Sequence, residues 1–193
     1  MTRWAMVADL RRCVGCQTCT AACKHANATP PGVQWRRVLD VEAGEFPDAK
    51  RAFVPTGCQH CDEPPCRDVC PTTATRKRAD GIVTIDYDIC IGCGYCVVAC
   101  PYGARYLVPA GEHAPNDTPG VADKCTWCYH RISQGGRPAC VEVCPVGARK
   151  FGDRNDPNDP IRTVLREREP KMLHPEYGTR PRVLYLGPSV QEA

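Results

Sequence analysis

The chain has 193 residues and a net charge of +3, with 25 Lys and Arg against 22 Asp and Glu. That length suits one ordinary domain or two small ones, and so mild a charge, with both signs mixed along the chain, argues against nucleic acid as a partner. Three Phe, three Trp and seven Tyr stand beside 19 Pro and 16 Gly, which excludes a large side-chain core and implies many loops.

Small chains of this make-up are held by disulfides or metals, and this one carries 16 cysteines. No apolar run approaches the ~18–20 residues of a membrane helix. Arg11-Arg12 has the look of a twin-arginine signal, but the residues after it form a cysteine loop rather than an apolar stretch. The pair is read as surface charge, and any export route is expected to belong to a partner.

The cysteines fall into four groups of four with none left over. Val7-Ala8-Asp9 reads as a strand before the first group, Cys13, Cys16, Cys19 and Cys23. Residues 24–57 read as an irregular connector opening on Pro30-Pro31-Gly32, with Val33 to Val41 extended. The second group is Cys58, Cys61, Cys66 and Cys70, with Asp62-Glu63-Pro64-Pro65 inserted. Asp80-Gly81 is a hairpin signal, and Ile82 to Ile85 a short strand. Thr84-Ile85-Asp86 then precedes the third group, Cys90, Cys93, Cys96 and Cys100, as Val7-Ala8-Asp9 precedes the first.

Residues 109–120 are polar and turn-rich, so a surface loop is expected. The fourth group, Cys125, Cys128, Cys140 and Cys144, spreads its second and third members around Gly135-Gly136, which permits a tight reversal. Its fourth cysteine precedes Pro145-Val146-Gly147-Ala148, as Pro71-Thr72-Thr73-Ala74 and Pro101-Tyr102-Gly103-Ala104 follow Cys70 and Cys100. Each reads as a short helix end, a turn and a return into a strand. Beyond Phe151 a helix is expected over Ile161 to Arg168 and a strand over Arg182 to Leu186, in a tail that wraps the rest or docks a partner.

The first and third groups read C-x2-C-x2-C-x3-C, the bacterial ferredoxin run for a cubane iron–sulfur cluster. Three cysteines spaced by two wrap a loop around three irons. The fourth points away, and in two-cluster ferredoxins it ligates the neighbouring cluster. A zinc site uses two C-x2-C pairs and would strand the third cysteine of each triplet. Disulfides suit a secreted chain, for which no signal is visible. Four complete [4Fe-4S] clusters are therefore expected, with an apo-protein that is largely unfolded.

The expected fold is α+β: two interleaved 2[4Fe-4S] ferredoxin-like modules with irregular connectors and a C-terminal extension. Groups two and three share module B over 50–110. Groups one and four share the discontinuous module A, 1–27 with 119–155. A connector covers 28–49, and a docking extension 156–193.

His60 and His130 are read as outer neighbours of clusters or surface groups. Lys24, Arg36, Arg37 and Arg137 are read either as charges that raise cluster potentials or as a solvated face. No paired carboxylates, nucleophile with adjacent base or phosphate loop is present, so no catalytic residues are expected in this chain alone.

Lys124-Cys125-Thr126-Trp127-Cys128-Tyr129-His130-Arg131, the run from Pro138 to Pro145, Phe151-Gly152-Asp153 and the run from Gly178 to Tyr185 carry a family resemblance. Together they resemble the iron–sulfur electron-transfer (B) subunits of molybdopterin oxidoreductases, the family of dimethyl sulfoxide, polysulfide, thiosulfate and arsenate reductases. The resemblance spans nearly the whole chain. It implies Cys13, Cys16, Cys19 and Cys144 for cluster 1, and Cys23, Cys125, Cys128 and Cys140 for cluster 2. It implies Cys58, Cys61, Cys66 and Cys100 for cluster 3, and Cys70, Cys90, Cys93 and Cys96 for cluster 4. Some relatives replace a group-three cysteine and hold a three-iron cluster, whereas Cys93 is in place here.

The resemblance further implies a molybdopterin-containing catalytic subunit and a polytopic quinone-reactive membrane subunit as partners. It implies peripheral attachment to the cell membrane through them, with the periplasmic face favoured over the cytoplasmic one. A four-cluster relay of a hydrogenase or carbon monoxide dehydrogenase is the alternative. A cluster-based redox sensor is a further one, for which no output motif is visible.

Overall fold

The computed structural model describes residues 1–109 and 120–187. Residues 110–119, within the expected loop 109–120, and residues 188–193 lie outside the described residues.

Short helices and strands alternate in an α+β arrangement. The chain opens with β1 (Trp4–Asp9) and α1 (Thr18–Ala26), then a hairpin of β2 (Arg36–Ala43) and β3 (Lys50–Gly57). Next come α2 (Pro65–Asp68), β4 (Thr75–Lys77), β5 (Val83–Ile85), α3 (Tyr95–Val98) and β6 (Tyr106–Leu107). After the loop follow β7 (Ala122–Asp123), α4 (Tyr129–Ile132), α5 (Ala139–Glu142) and β8 (Arg149–Asp153). The chain closes with α6 (Pro160–Glu167), β9 (Lys171–Met172) and β10 (Val183–Leu186).

A four-stranded sheet has the order β8-β1-β10-β9. The unbroken apolar run of β1 buries Ala5, Met6, Val7 and Ala8, as a strand covered on both faces must. It pairs antiparallel with β8 and parallel with β10. The tail therefore enters the sheet, with Val183, Tyr185 and Leu186 buried beside the first strand. Asp159 caps α6 by accepting the Ile161 N–H at 2.8 Å. Ile161 and Val164 then pack on Ala5, Val7 and Leu186.

The segment expected as an irregular connector is instead regular over residues 36–57. β2 and β3 pair in register from Arg36 opposite Gly57 to Ala43 opposite Lys50. Val54, Trp35 and Val33 are buried beneath this hairpin. Polarity does not follow burial along it: Arg36 and Thr56 are buried, while Leu39 is exposed, so the sequence shows no clean alternation.

Strand pairing also brings the cysteine groups together two by two. The Asp9 N–H donates to the Ala148 carbonyl at 2.7 Å, and the Asp86 N–H to the Ala74 carbonyl at 2.8 Å. The strand before group one thus lies against the turn after group four. The strand before group three lies in the same way against the turn after group two, through the β4–β5 hairpin.

One carboxylate ties these layers. Asp62 accepts from Lys77 Nζ and Arg182 Nε at 2.7 and 2.8 Å. Arg182 is 2% exposed and also donates to the Asp80 carbonyl. Burial pushes the Asp62 carboxyl up, but the hydrogen bonds and charges of Lys77 and Arg182 outweigh it and hold the group below the usual carboxylate range. Its stabilisation is therefore complete above the pKa of an unfolded aspartate and is lost as pH falls through the lower folded value. Asp62→Asn is expected to cost about 2–3 kcal/mol at neutral pH, less than a fully buried pair because the carboxylate is 20% exposed. Urea unfolding of the holo-protein measures this, and the variant's stability should fall less steeply with acid than the wild type's.

Candidate metal centres

The four cysteine loops share a backbone that the sequence does not advertise. In each, the residue before the second cysteine has a left-handed φ: Gly15 at 69°, His60 at 45°, Gly92 at 66° and Trp127 at 54°. Glycine adopts that conformation freely, whereas His and Trp hold it only where packing compensates. Both are fully buried, with ring centroids 4.2 Å apart. Trp127 also meets Phe151 edge-on, and Phe151 stacks on Trp4. The loops of groups two and four thus pack against each other at the centre. Cys61 and Cys128 are buried there, while their counterparts Cys16 and Cys93 on the glycine loops are exposed.

None of the sixteen cysteines is joined in a disulfide. Cys13, Cys16, Cys19 and Cys144 wall one cavity together with Arg149. Cys23 lies within electrostatic reach of Cys125, Cys128 and Cys140. Cys61 lies within reach of Cys58, Cys66 and Cys100. Cys90 and Cys96 pack in one small cluster with Cys66, Val83, Ile85 and Ala122, while Cys70 and Cys93 stand outside it. The Cys70 sulfur accepts the Thr75 N–H at 3.5 Å. Among the described residues, no three Cys, His, Asp or Glu side chains are grouped as a single ion requires.

Burial pushes the Cys61 thiol up to about 12 and the Cys125 thiol up to about 11. Four ionised thiols in such a place need positive charge among them. The protein supplies some of it. Arg36, Arg105 and Arg149 are buried, and among the described residues none pairs with a carboxylate. Arg36 Nη2 lies 3.9 Å from Cys125 Sγ and 3.7 Å from Met6 Sδ. Burial raises the Cys140 thiol, but the charges of Arg149 and Arg36 outweigh it and hold the group below its ordinary value.

Among the described residues, several buried donors have no partner: Nε and Nη1 of Arg36, the same atoms of Arg149, and Nε1 of Trp127. His60 Nδ1 accepts the Val83 N–H at 3.1 Å, so its unpartnered Nε2 carries the proton. Burial, reinforced by Lys124, Arg36, Arg105 and Arg182, holds that imidazole well below its ordinary pKa and hence neutral. Thiols gathered around a volume and unpartnered N–H groups beside them fit an iron–sulfur cluster, whose sulfurs accept hydrogen bonds.

Of the other residues singled out in the sequence, His130 and Arg137 are exposed. Lys24 donates to the carbonyls of Thr29, Pro30 and Val33, closing the turn that takes the place of a proline turn in group one. Arg37 reaches the Tyr102 carbonyl at 3.5 Å. Sequence reading missed Arg105, Arg149 and Lys124. The signal for the first two was one residue further along the Pro-x-Gly-Ala repeat.

Residues 49–154 match the family model described as a 4Fe-4S dicluster domain. The chain is 42% identical to the iron–sulfur B chain of a putative dimethyl sulfoxide reductase of Halobacterium salinarum, over 96% of this chain and 79% of that relative. It is 47% identical to the B chain of the tetrathionate reductase of Salmonella typhimurium, over 96% and 72%. It is 37% identical to the arsenate respiratory reductase iron–sulfur subunit of Shewanella, over 95% and 96%. The fold and the dicluster-domain match define a ferredoxin-like iron–sulfur protein. The chain belongs to the family of iron–sulfur B subunits of molybdoenzymes.

Anaerobic removal of iron with a chelator is expected to unfold most of the chain, because buried thiols and unpaired arginines then lose the charge they face. Circular dichroism and protease sensitivity before and after chelation measure it.

Proposed function

We propose that this chain relays single electrons through four [4Fe-4S] clusters, between a molybdenum or tungsten pterin catalytic subunit and a quinone-reactive membrane subunit. Sixteen cysteines in four sets match four cubanes, with Cys13, Cys16, Cys19 and Cys144 as one set, and Cys23, Cys125, Cys128 and Cys140 as its module partner. Cys58, Cys61, Cys66 and Cys100 form the third set, and Cys70, Cys90, Cys93 and Cys96 the fourth. Two interleaved ferredoxin-like modules follow: 1–27 with 119–155, and 50–110. Each cluster, when bound, supplies one-electron storage without proton transfer or substrate chemistry.

The observation that carries this reading is the nearness of Cys23 to Cys125, Cys128 and Cys140, thiols that are far apart along the chain. The residues of the chain then hold the clusters in place, exclude water and balance charge. Cys61, Cys125, Cys128 and Cys140 are buried, so the inner centres are shielded. Cys16 and Cys93 are exposed, which suits entry and exit of electrons at separate edges. Apolar residues flank both: Val14 at one, and Ile91, Tyr95 and Val98 at the other, with Val98 89% exposed. Uncovered apolar groups beside an electron exit fit partner docking. Among the described residues no helix is long and apolar enough to cross a membrane. Attachment to the membrane through partners is part of this reading.

Anaerobic purification of the tagged chain from its native host is expected to bring down a pterin-containing large subunit and a multi-helix membrane subunit. Iron should be about sixteen atoms per chain, four for each cubane. A hydrogenase subunit in their place, or iron near half that value, sinks the assignment. Cys93→Ala should convert one cubane to a three-iron cluster, seen as a new signal in the electron paramagnetic resonance (EPR) spectrum of the oxidised protein. Three unaltered cubanes must remain beside it.

A further inference from the structure

Arg105 and Arg149 occupy one place in two copies of a repeat. Each ends a run of the form Cys-Pro-x-Gly-Ala-Arg, Cys100 to Arg105 and Cys144 to Arg149. The backbones agree: Gly103 and Gly147 have φ of 54° and 58°, and Ala104 and Ala148 are both buried. The shared turn delivers both guanidinium groups to the interior, 3% and 4% exposed.

Each side chain meets thiols from two different sets. Arg105 Nη2 donates to Cys66 Sγ at 3.1 Å, and Nη1 to Thr75 Oγ1 at 3.0 Å. Its charge also faces Cys58 and Cys96. Arg149 lines the cavity walled by Cys13, Cys16, Cys19 and Cys144, and its charge also faces Cys140. Its Nη2 touches Met6 Sδ at 2.9 Å, while Nε and Nη1 have no partner among the described residues. The matching positions after groups two and one are Thr75 and Ala28, which are uncharged. Each pair of neighbouring sets therefore has one such arginine at this position.

We propose that Arg105 and Arg149 are inter-cluster cations: each places one fixed positive charge between the two clusters of a module and raises the reduction potential of both. This rests on the four-cluster assignment above. Guanidinium stays charged at every working pH, and its charge is poorly screened when buried. Adding an electron makes a module more negative, so the nearby cation favours the reduced state. A charge shared between two centres moves both potentials in the same direction. The difference between the two, which sets the energy of passage between them, is left nearly unchanged.

The test is an anaerobic redox titration of the whole complex, followed by EPR, for R105Q, R149Q, R105K and R149K. R149Q is expected to lower two midpoint potentials, each by a tenfold change in the oxidised-to-reduced ratio, ~59 mV for one electron. The other two should stay at wild-type values. R105Q should lower the complementary pair, and each lysine variant should keep all four near wild type. Intact clusters with unmoved potentials, a shift in one cluster only, or a lysine variant that falls as far as its glutamine counterpart overturns the proposal. If a glutamine variant takes up no iron, its lysine counterpart decides: wild-type potentials sustain the proposal, while lowered potentials or loss of iron overturn it. A wild-type titration with fewer than four one-electron steps overturns the four-cluster reading and this proposal with it. Four intact steps that ignore the charge overturn the proposal alone.

Discussion

Charge balance in a buried place governs this protein. Thiols such as Cys23, Cys125 and Cys140 are removed from water, and ionised sulfur is costly there without opposite charge. Arg36, Arg105 and Arg149 are equally buried, and guanidinium groups carry the converse penalty. Neither set is stable alone in an interior with so few carboxylates. A metal–sulfide core with thiolate ligands, facing arginine N–H groups, satisfies both. The apolar core is small because much of the interior is given to this exchange.

Strand pairing makes the balance geometrically possible. β1 is the middle of the main sheet, and its two neighbours come from the second half of the chain. Its carboxyl end hands the chain directly to the first cysteine loop, while β8 begins just after Cys144. The antiparallel register places Ala8 opposite Arg149, so groups one and four meet at one end of that pair. The β4–β5 hairpin does the same for groups two and three with fewer residues. A single backbone contact, aspartate N–H to alanine carbonyl, recurs in both places. The tail strand β10 then covers the open side of β1, which couples the last residues of the sheet to the first.

Other interior groups have a supporting part. Asp123 accepts from Trp35 Nε1 at 2.7 Å, Tyr87 hydroxyl at 2.8 Å and its neighbour's backbone N–H at 2.9 Å. Burial raises that carboxyl even so, against the lowering effect of these bonds and of Lys124. The bonds pin the chain just before Cys125 to the connector hairpin and to the strand region before Cys90. His60 and Trp127 fill the space between the central loops with apolar ring surface, leaving only two N–H groups to be satisfied.

The sequence alone determined the chemistry. Cysteine spacing is a local property, since three thiols separated by two residues wrap one small object whatever the rest of the chain does. The turns after Cys70, Cys100 and Cys144, the α6 helix and the strand ending at Leu186 were legible for the same reason: proline, glycine and apolar periodicity act over a few residues. Three things only the tertiary structure decided. The hairpin over residues 36–57 depends on what its inner face covers, and its buried Arg36 and Thr56 and exposed Leu39 break the period. The left-handed backbone at His60 and Trp127 exists because each ring is held by the other across the centre of the molecule. The burial of Arg36, Arg105 and Arg149 was not legible in the sequence, where Arg36 reads equally as a charge beside a cluster or as a solvated one, since a buried arginine is stable only beside an opposite charge that residues distant in the chain, or a bound cluster, must bring to it.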